Sequence, residues 1–302
     1  MAPPPEPGVA RRIRFVSLLM QQTINGIMVG SIYALIALGL TLEYGILNIP
    51  NFAHGVLYTA GAYLTFLAVV SLGFNYWIAI LFAMLALALI GMIMHWLVYH
   101  PLVEAPHLNS FIAAIGLIFM FKAVMLLIWG PDFKRFPPTN DSVFNILGTV
   151  ITSQRILIVV ITVILIVLLN LFIKKTMAGA TIEALAQDRE GALLAGINVT
   201  RVETLVFAVG SALAAVAAAL ISPIFLVYNT MGDSVILKAF VIIILGGMGS
   251  IPGAIIGGYI IGLVESLGGA YLSTDYNEII AFAILIGVLA FKPTGLFGAK
   301  SH

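Results

Sequence analysis

The stretch from Thr176 to Glu203, TMAGATIEALAQDREGALLAGINVTRVE, is the only long polar run in the chain with apolar stretches on both sides. Its charged side chains exclude it from the interior of a lipid bilayer. Between the charges, apolar residues recur at helical spacing, which predicts an amphipathic helix. These residues are Ile182, Leu185, Ala186, Leu193, Leu194 and Ile197. We interpret the stretch as a loop that docks into another protein; a solvated loop that packs on nothing is the alternative.

The composition of the whole chain requires a membrane. Of its 302 residues, 61% are hydrophobic and 9% are charged, and the mean hydropathy is +1.12. Soluble domains carry about 25% charged residues, so no soluble core could hide this much apolar surface. The net charge of +1 gives no indication of a nucleic-acid partner. The chain has no cysteine and no histidine cluster with metal-ligand spacing, so we expect no metal or cofactor in it.

Nine apolar stretches predict an all-α, polytopic helix bundle in the membrane, with eight or ten spans as alternatives. Most approach the roughly 20 residues that a spanning helix needs, whereas the seventh and the last are shorter. The stretches cover residues 24–47, 52–71, 76–98, 109–129, 153–173, 204–228, 235–248, 252–271 and 278–292. We therefore divide the chain into a disordered tail over 1–14, a single transmembrane domain over 15–298 and a short tail over 299–302.

Lysine and arginine near the span ends orient the bundle. They place the loop 176–203 in the cytoplasm and the loop 130–152 outside; the residues that decide this are Lys174, Lys175, Arg189 and Arg201. With nine spans, Arg11, Arg12 and Arg14 then lie outside, against the usual preference. Either the N-terminal stretch crosses as an extra short span, or it lies on the outer surface as an interfacial helix, which we favour.

Two breaks interrupt the apolar pattern, at Asn48 to Gly55 (NIPNFAHG) and at Leu245 to Gly253 (LGGMGSIPG). Proline removes a backbone donor, and irregular backbone near lipid is tolerated only where protein or a water-filled cavity covers it. Paired breaks of this kind in transporters indicate the substrate path; ordinary turns between spans are the alternative. The residues predicted to line this path are Asn48, Asn51, His54, Gly55, Gly246, Gly247 and Ser250.

Four charged residues, Glu43, Lys122, Lys238 and Glu265, fall within or near apolar stretches. Such groups are functional hypotheses by default. Because no chain of acids and histidines forms a proton relay here, we favour structural ion pairing or snorkelling. The polar loops also supply no phosphate-binding loop, nucleophile–base set or paired carboxylates, so we do not expect an enzyme.

Several motifs in the same order resemble the inner-membrane permeases of branched-chain amino acid ABC importers, and the first of the two permeases most closely. They are Leu47-Asn48 with Asn51 to Gly55, Ala186-Gln187-Asp188 running to Ala195-Gly196-Ile197-Asn198, Leu245 to Ala254, and Lys292-Pro293-Thr294-Gly295-Leu296-Phe297-Gly298. The resemblance covers about residues 20–298. It departs from the family pattern at Val56, where glutamate is common, in the arginine-free segment Gly179 to Glu183, and in the inserted Ile49-Pro50.

The resemblance implies a heterodimer of two related permeases, two cytoplasmic ATPases that bind the ATP, and a periplasmic binding protein that delivers substrate. It also implies that a short helix in the loop 176–203 fits a groove on an ATPase. The residues to which that role falls are Asp188, Arg189, Glu190, Leu193, Leu194, Gly196, Ile197 and Asn198.

We therefore expect a permease subunit of an ABC importer in the bacterial inner membrane, which translocates branched-chain or other small amino acids. The alternative is a stand-alone secondary transporter or channel for a small polar solute such as urea or an amide.

Overall fold

The computed structural model describes residues 7–47, 51–103, 105–137, 142–146, 149–273 and 276–298. Eleven α-helices and one hairpin make up the described part. The helices are α1 Pro7–Leu47, α2 His54–Phe66, α3 Tyr76–Met94, α4 His107–Trp129, α5 Ser153–Lys175, α6 Met177–Gln187, α7 Arg189–Leu194, α8 Val199–Ile221, α9 Met231–Gly246, α10 Ile251–Tyr271 and α11 Asn277–Phe291; the antiparallel strands are β1 Val143–Ile146 and β2 Thr149–Thr152. Single π-helical turns extend α2 to Ser71 and α3 to Tyr99.

The prediction of a polytopic, all-α membrane bundle is confirmed. Within the described residues, seven helices are long and apolar enough to cross a membrane: α1, α2 with its π turn, α3 with its extension, α4, α5, α8 and α10. The shorter helices α9 and α11 occupy the two stretches that the sequence marks as short, at about 1.5 Å per residue or roughly 22 to 24 Å each. The nine predicted stretches therefore correspond one for one to helices.

The core is centred on α8, which packs on α1, α2 and α3. Helices α1, α2 and α8 are mostly buried, whereas α4 and α5 expose most of their apolar surface. The most extensive contact between two helices of the described part is the crossing of α1 with α10. A Cβ atom at Gly258 would come within 2.7 Å of the Ala34 backbone, and one at Gly262 would overlap the backbone of Gly30. Small residues at this spacing let two helices approach closely in lipid.

The N-terminal segment differs from the expectation of a disordered tail followed by an interfacial helix or an extra span. Residues 7–14 are helical and continue without interruption into α1, and residues 1–6 lie outside the described part. The helix runs on because no proline or glycine pair separates Arg11 from the apolar residues beyond Phe15. Neither predicted form of a separate N-terminal element is present in the described residues.

The two ends of the bundle are distinguished by what closes them. The β1–β2 hairpin marks one end, which we call the hairpin side, and the amide of Gln21 in α1 donates to the carbonyl of Val150 there at 3.2 Å. Helices α6 and α7 mark the other end, which we call the α7 side. Both predicted breaks in the chain lie on the α7 side, where Gly45 at the end of α1 faces Gly249 of the second break.

Candidate functional site

The polar run 176–203 folds as two helices, α6 and α7, instead of one. Each has its own N-terminal cap: the hydroxyl of Thr176 accepts from the amide of Gly179 at 3.0 Å, and the carboxylate of Asp188 accepts from the amides of Glu190 and Gly191, both at 3.0 Å. Side-chain oxygens at these positions satisfy amides that the first helical turn leaves without partners. The cap at Asp188 therefore ends one helix and begins the next.

Helix α7 ends in a glycine turn that fixes its length at six residues. Gly196 has a φ of +79°, and the amides of Gly196 and Ile197 donate to the carbonyls of Leu193 and Ala192, both at 3.0 Å. This pair of bonds closes a helix C-terminus, and glycine suits the left-handed residue in it. Asn198 then caps α8 by accepting from the amide of Arg201 at 3.1 Å.

The apolar residues predicted to form one face are partly buried against the bundle and partly exposed to water. Ile182 and Leu185 of α6 are buried against the bundle. Leu193 and Leu194 of α7 are 55% and 91% exposed, and Ile197 is half-buried. The loop thus packs beneath its own bundle through α6 and presents two leucines to water through α7.

An ion-pair network ties α7 to the core. Arg189 Nη1 lies 2.6 Å from Glu203 Oε1, and Glu203 Oε2 lies 3.3 Å from Nε2 of His95 in the π turn after α3. The His95 ring also meets the Thr204 hydroxyl at 2.9 Å. Glu203 and His95 are both buried, so this network links α7 to the packed pair α3 and α8. Glu190 is exposed and makes no side-chain bond to this network among the described contacts.

The first break contributes a buried polar cluster. The two carboxylate oxygens of Glu43 are both occupied: Oε2 accepts from Asn51 Nδ2 at 2.7 Å, and Oε1 faces His54 Nδ1 at 3.1 Å. The Tyr99 hydroxyl donates to Asn51 Oδ1 at 2.6 Å. All four side chains are buried. The cluster joins the end of α1, the start of α2 and the end of the α3 extension.

The remaining path residue of the first break that the structure describes is Gly55, which lies where α2 meets α9. A Cβ atom there would fall 2.7 Å from the carbonyl of Gly232, and the amide of Gly232 donates to Thr59 at 3.0 Å. Asn48 lies outside the described residues. The assignment of Asn51, His54 and Gly55 to a substrate path stays a prediction, and the geometry gives each of them a packing partner.

The second break forms a tight turn that receives the C-terminal segment. The amides of Leu296 and Phe297 donate to the carbonyls of Leu245 and Gly246 at 2.8 and 2.9 Å. Gly247 has a φ of +102° and lies against Gly298, where no side chain would fit. This contact brings together two of the motifs that carry the family resemblance.

Two cavities lie along α1, one toward each end of the bundle. The α7-side cavity, of about 530 Å³, lies between the ends of α1 and α5, helix α6 and the second break, whose Ser250 lines it and also caps α10. The hairpin-side cavity, of about 800 Å³, lies between α1, α9 and α10. Residues 34–40 of α1 separate the two, and all of them are buried. At 1.5 Å per residue this packed segment is about 10 Å long.

The wall of the hairpin-side cavity carries an ion pair between two of the charges flagged in the sequence. Lys238 of α9 pairs with Glu265 of α10, and the hydroxyl of Tyr33 in α1 accepts from Lys238 at 3.0 Å and donates to Glu265 at 2.7 Å. The two charged side chains are 14% and 15% exposed. The expected ion pairing of intramembrane charges is therefore present here, and Lys122 likewise pairs with Asp233 at 2.6 Å.

The sequence of the chain matches the protein family described as "Branched-chain amino acid transport system / permease component" over residues 22–289. That range includes every helix except the first part of α1 and the last two residues of α11. The chain belongs to this family. The resemblance carried by the sequence motifs is thereby confirmed.

Individual relatives agree over nearly the full length. The chain is 37% identical to the high-affinity branched-chain amino acid transport system permease protein LivH of Salmonella typhimurium, with 92% of this chain and 95% of the relative covered. It is 39% identical to BraD of Pseudomonas aeruginosa, which carries the same description, over the same shares. Among solved structures, PsaBC from Streptococcus pneumoniae shares the fold, with a TM-score of 0.50, 12% identity and 93% and 94% of the two chains covered.

For this family member, reasoning from the sequence missed the polar residues at the mouth of the hairpin-side cavity. Asn25 accepts from Arg155 at 2.6 Å, and Gln22 bonds Ser266 at 3.0 Å. One face of α1 carries Gln22, Asn25 and Tyr33. This stripe of polar residues at helical spacing was the signal in the sequence that could have predicted them. The buried network of His95 with Glu203 carried no such signal, because its members are 108 residues apart.

Proposed function

We propose that this chain is one of two related permease subunits of an ATP-binding-cassette importer in the inner membrane of a bacterium. A periplasmic binding protein delivers branched-chain or other small amino acids to it, and two cytoplasmic ATPases bind the ATP and supply the energy. The chain itself contributes the translocation path and the coupling surface and performs no hydrolysis.

The observation that carries this proposal is the pair of leucines on α7. Leu193 and Leu194 expose apolar surface to water on a rigid, doubly capped helix that is tied to the core through Arg189. An exposed apolar patch with a polar rim is typical of a protein interface. A short helix held in this way transmits force to the bundle, which a solvated loop would not do.

The substrate class is supported by the relatives and by the cavity. The family description and the names of LivH and BraD specify branched-chain amino acids. The hairpin-side cavity is large enough for such a molecule and mixes apolar walls with a few polar groups.

Uptake by the reconstituted complex tests the proposal. The chain is co-expressed with the second permease and the two ATPases, and the purified complex is placed in liposomes with the binding protein outside and ATP inside. We expect uptake of radiolabelled leucine that requires both the binding protein and ATP. Flux of urea or a short amide without ATP, in place of leucine uptake, would instead support the stand-alone transporter.

A further inference from the structure

We propose that Lys238 and Glu265, with Tyr33 between them, form the contact site for the charged groups of a zwitterionic amino acid in the hairpin-side cavity. Lys238 takes the carboxylate and Glu265 takes the ammonium group. The inference rests on the proposed function and names the contact that the permease itself makes with the substrate.

The position of the pair distinguishes it from the other buried charges. Lys238 and Glu265 both line the cavity of about 800 Å³. Glu43, by contrast, is fully buried and lines neither cavity, and the Lys122–Asp233 pair lies between α4 and α9 away from the cavity wall. Of these three sites, the Lys238–Glu265 pair is the one that lines the cavity; Arg155 lines it as well, with its guanidinium bonded to Asn25 at 2.6 Å.

The chemistry of the pair fits an exchange of partners. A zwitterion that leaves water needs an opposite charge for each of its own, because an unpaired charge in an apolar setting is strongly disfavoured. When it inserts between Lys238 and Glu265, two new ion pairs replace one, and the net charge of the cavity does not change. The Tyr33 hydroxyl already bonds both side chains, at 3.0 and 2.7 Å, so it remains a partner for either one while the pair opens.

The cost of opening the existing pair keeps the affinity low. A substrate bound to two fixed, unpaired charges would be held tightly, whereas here each new contact replaces one already made. An importer needs such a weak site, since the substrate must leave after each ATP cycle. The side-chain mobility of lysine also lets the ammonium group follow the carboxylate as it passes.

The wall next to the pair suits an aliphatic side chain. Val29 and Ile32 of α1 and Met231 and Val235 of α9 line the same cavity. An α9 residue one turn from Lys238 is thus apolar, and the alkyl group of a branched-chain amino acid would rest there while its charged end meets the pair. Burial of the alkyl group against such a wall favours binding.

A structural role for the same pair, as a tie between α9 and α10, makes a different prediction. The double variant Lys238→Met, Glu265→Met replaces both charged side chains with methionine. It leaves neither charge unpaired and is compatible with a stable bundle. If the pair only ties helices together, this variant transports leucine as the wild type does. If the pair contacts substrate, the variant assembles but loses leucine uptake by at least tenfold, while Lys238→Arg keeps it within about threefold.

Thermal melting of the permease–ATPase complex without the binding protein tests contact directly. We expect leucine at millimolar concentration to raise the wild-type melting temperature by about 2 °C or more, since a ligand that binds the folded state stabilises it. Leucinamide, which lacks the carboxylate, and 4-methylpentanoate, which lacks the ammonium group, should give no rise. The methionine double variant should give no rise with leucine either.

The Lys122→Met with Asp233→Leu variant is the matched control, because it removes another pair in the same bundle that does not line the cavity. It should keep both the melting response and leucine uptake. An equal leucine response in the Lys238–Glu265 double variant, or none in a wild-type complex that imports leucine, would overturn the contact site alone. A wild-type complex that imports no amino acid would overturn the proposed function instead.

Discussion

Glu43 lies at the centre of the buried cluster beside the first break, and Asn51 is the residue that joins its members. The Asn51 amide donates to Glu43 at 2.7 Å, while its oxygen accepts from Tyr99 at 2.6 Å and from the amide of Ala53 at 3.0 Å. Asn51 and His54 each contact one carboxylate oxygen of Glu43. Removal of Asn51 therefore leaves one of these oxygens and the Tyr99 hydroxyl without that partner in a buried site.

Asn51→Leu should therefore destabilise the permease by about 1 to 3 kcal/mol or more, because it removes a hydrogen-bond donor from a buried carboxylate. The measurement is the melting temperature of the purified complex, together with the amount of chain found in the membrane. Asn109→Leu makes the same chemical change at an exposed position of α4 and should leave both quantities unchanged.

Adding Glu43→Met to Asn51→Leu should recover part of the lost stability, since the buried charge is then removed as well. A stable Asn51→Leu protein that fails only in uptake would contradict the structural role and support the substrate-path assignment from the sequence.

At the scale of residues, the sequence identifies the polar groups in apolar surroundings but does not identify their hydrogen-bond partners. Asn51, His54, Lys238 and Glu265 all stand out as polar groups in apolar surroundings. Their partners do not follow from the sequence, because Tyr99 is 48 residues from Asn51 and Glu265 is 27 residues from Lys238. Only helix packing brings such residues together.

At the scale of elements, α7 carries the proposed coupling surface. Leu194→Asp should leave folding and membrane insertion intact, since the side chain is 91% exposed. It should lower the amount of co-purified ATPase by at least tenfold, because a charge replaces an apolar contact at an interface hot spot, where a loss of about 2 kcal/mol is typical. The readout is the ATPase-to-permease ratio after affinity purification.

Met177→Asp is the matched control for this substitution. Met177 lies on the same side of the bundle and is 83% exposed, but it begins α6 and not α7. It should keep the normal ratio. A normal ratio and normal uptake for Leu194→Asp would remove the basis for docking through α7.

The crossing of α1 with α10 can be tested by adding a single Cβ atom at the contact between the two helices. A Cβ atom at Gly262 would overlap the backbone of Gly30, which cannot move aside as a flexible side chain would. Gly262→Ala should therefore destabilise the bundle by about 1 to 3 kcal/mol or more.

The control for Gly262→Ala is Gly116→Ala, because no atom lies within 4 Å of a Cβ at Gly116 in α4. Alanine is the better helix former, so this variant should be neutral or slightly more stable. Melting temperatures of the two purified proteins decide the matter, and equal values would show that the close crossing contributes nothing.

Helical periodicity predicted the existence of the elements but merged α6 with α7. The apolar residues of both helices fall at spacings compatible with one continuous face, and the pattern contains no proline or glycine pair between Leu185 and Leu193. The break between the two helices comes from Asp188, because its side chain caps the N-terminus of α7 and its own backbone leaves the helical conformation. A capping residue inside an amphipathic pattern is a local signal that periodicity alone does not read.

At the scale of the whole molecule, the described contacts fix which ends of the helices lie together. Gln21 in the first half of α1 bonds Val150 of the hairpin, and Asn25 bonds Arg155 at the start of α5. The beginning of α1 therefore lies on the hairpin side, and its end lies on the α7 side beside the second break. Residues of α1 line both cavities, with the packed segment 34–40 between them.

The basic residues around α7 predict that this side faces the cytoplasm, and this orientation predicts that the start of α1 faces the outside, in spite of its arginines. Single cysteines test this on a chain with none of its own. Ser142→Cys beside the hairpin and Val16→Cys at the start of the spanning part of α1, both exposed, should react with a membrane-impermeant maleimide added to intact cells. Glu190→Cys, exposed on α7, should react only after permeabilisation.

The span from Val16 to Leu47 has 32 residues, which is about 48 Å of helix against a hydrocarbon core of about 30 Å. Val16 therefore has room to reach the outer interface. If Val16→Cys were protected while Ser142→Cys reacts, the hairpin side of α1 would not face outside, and the contact between Gln21 and Val150 would not describe the protein in its membrane.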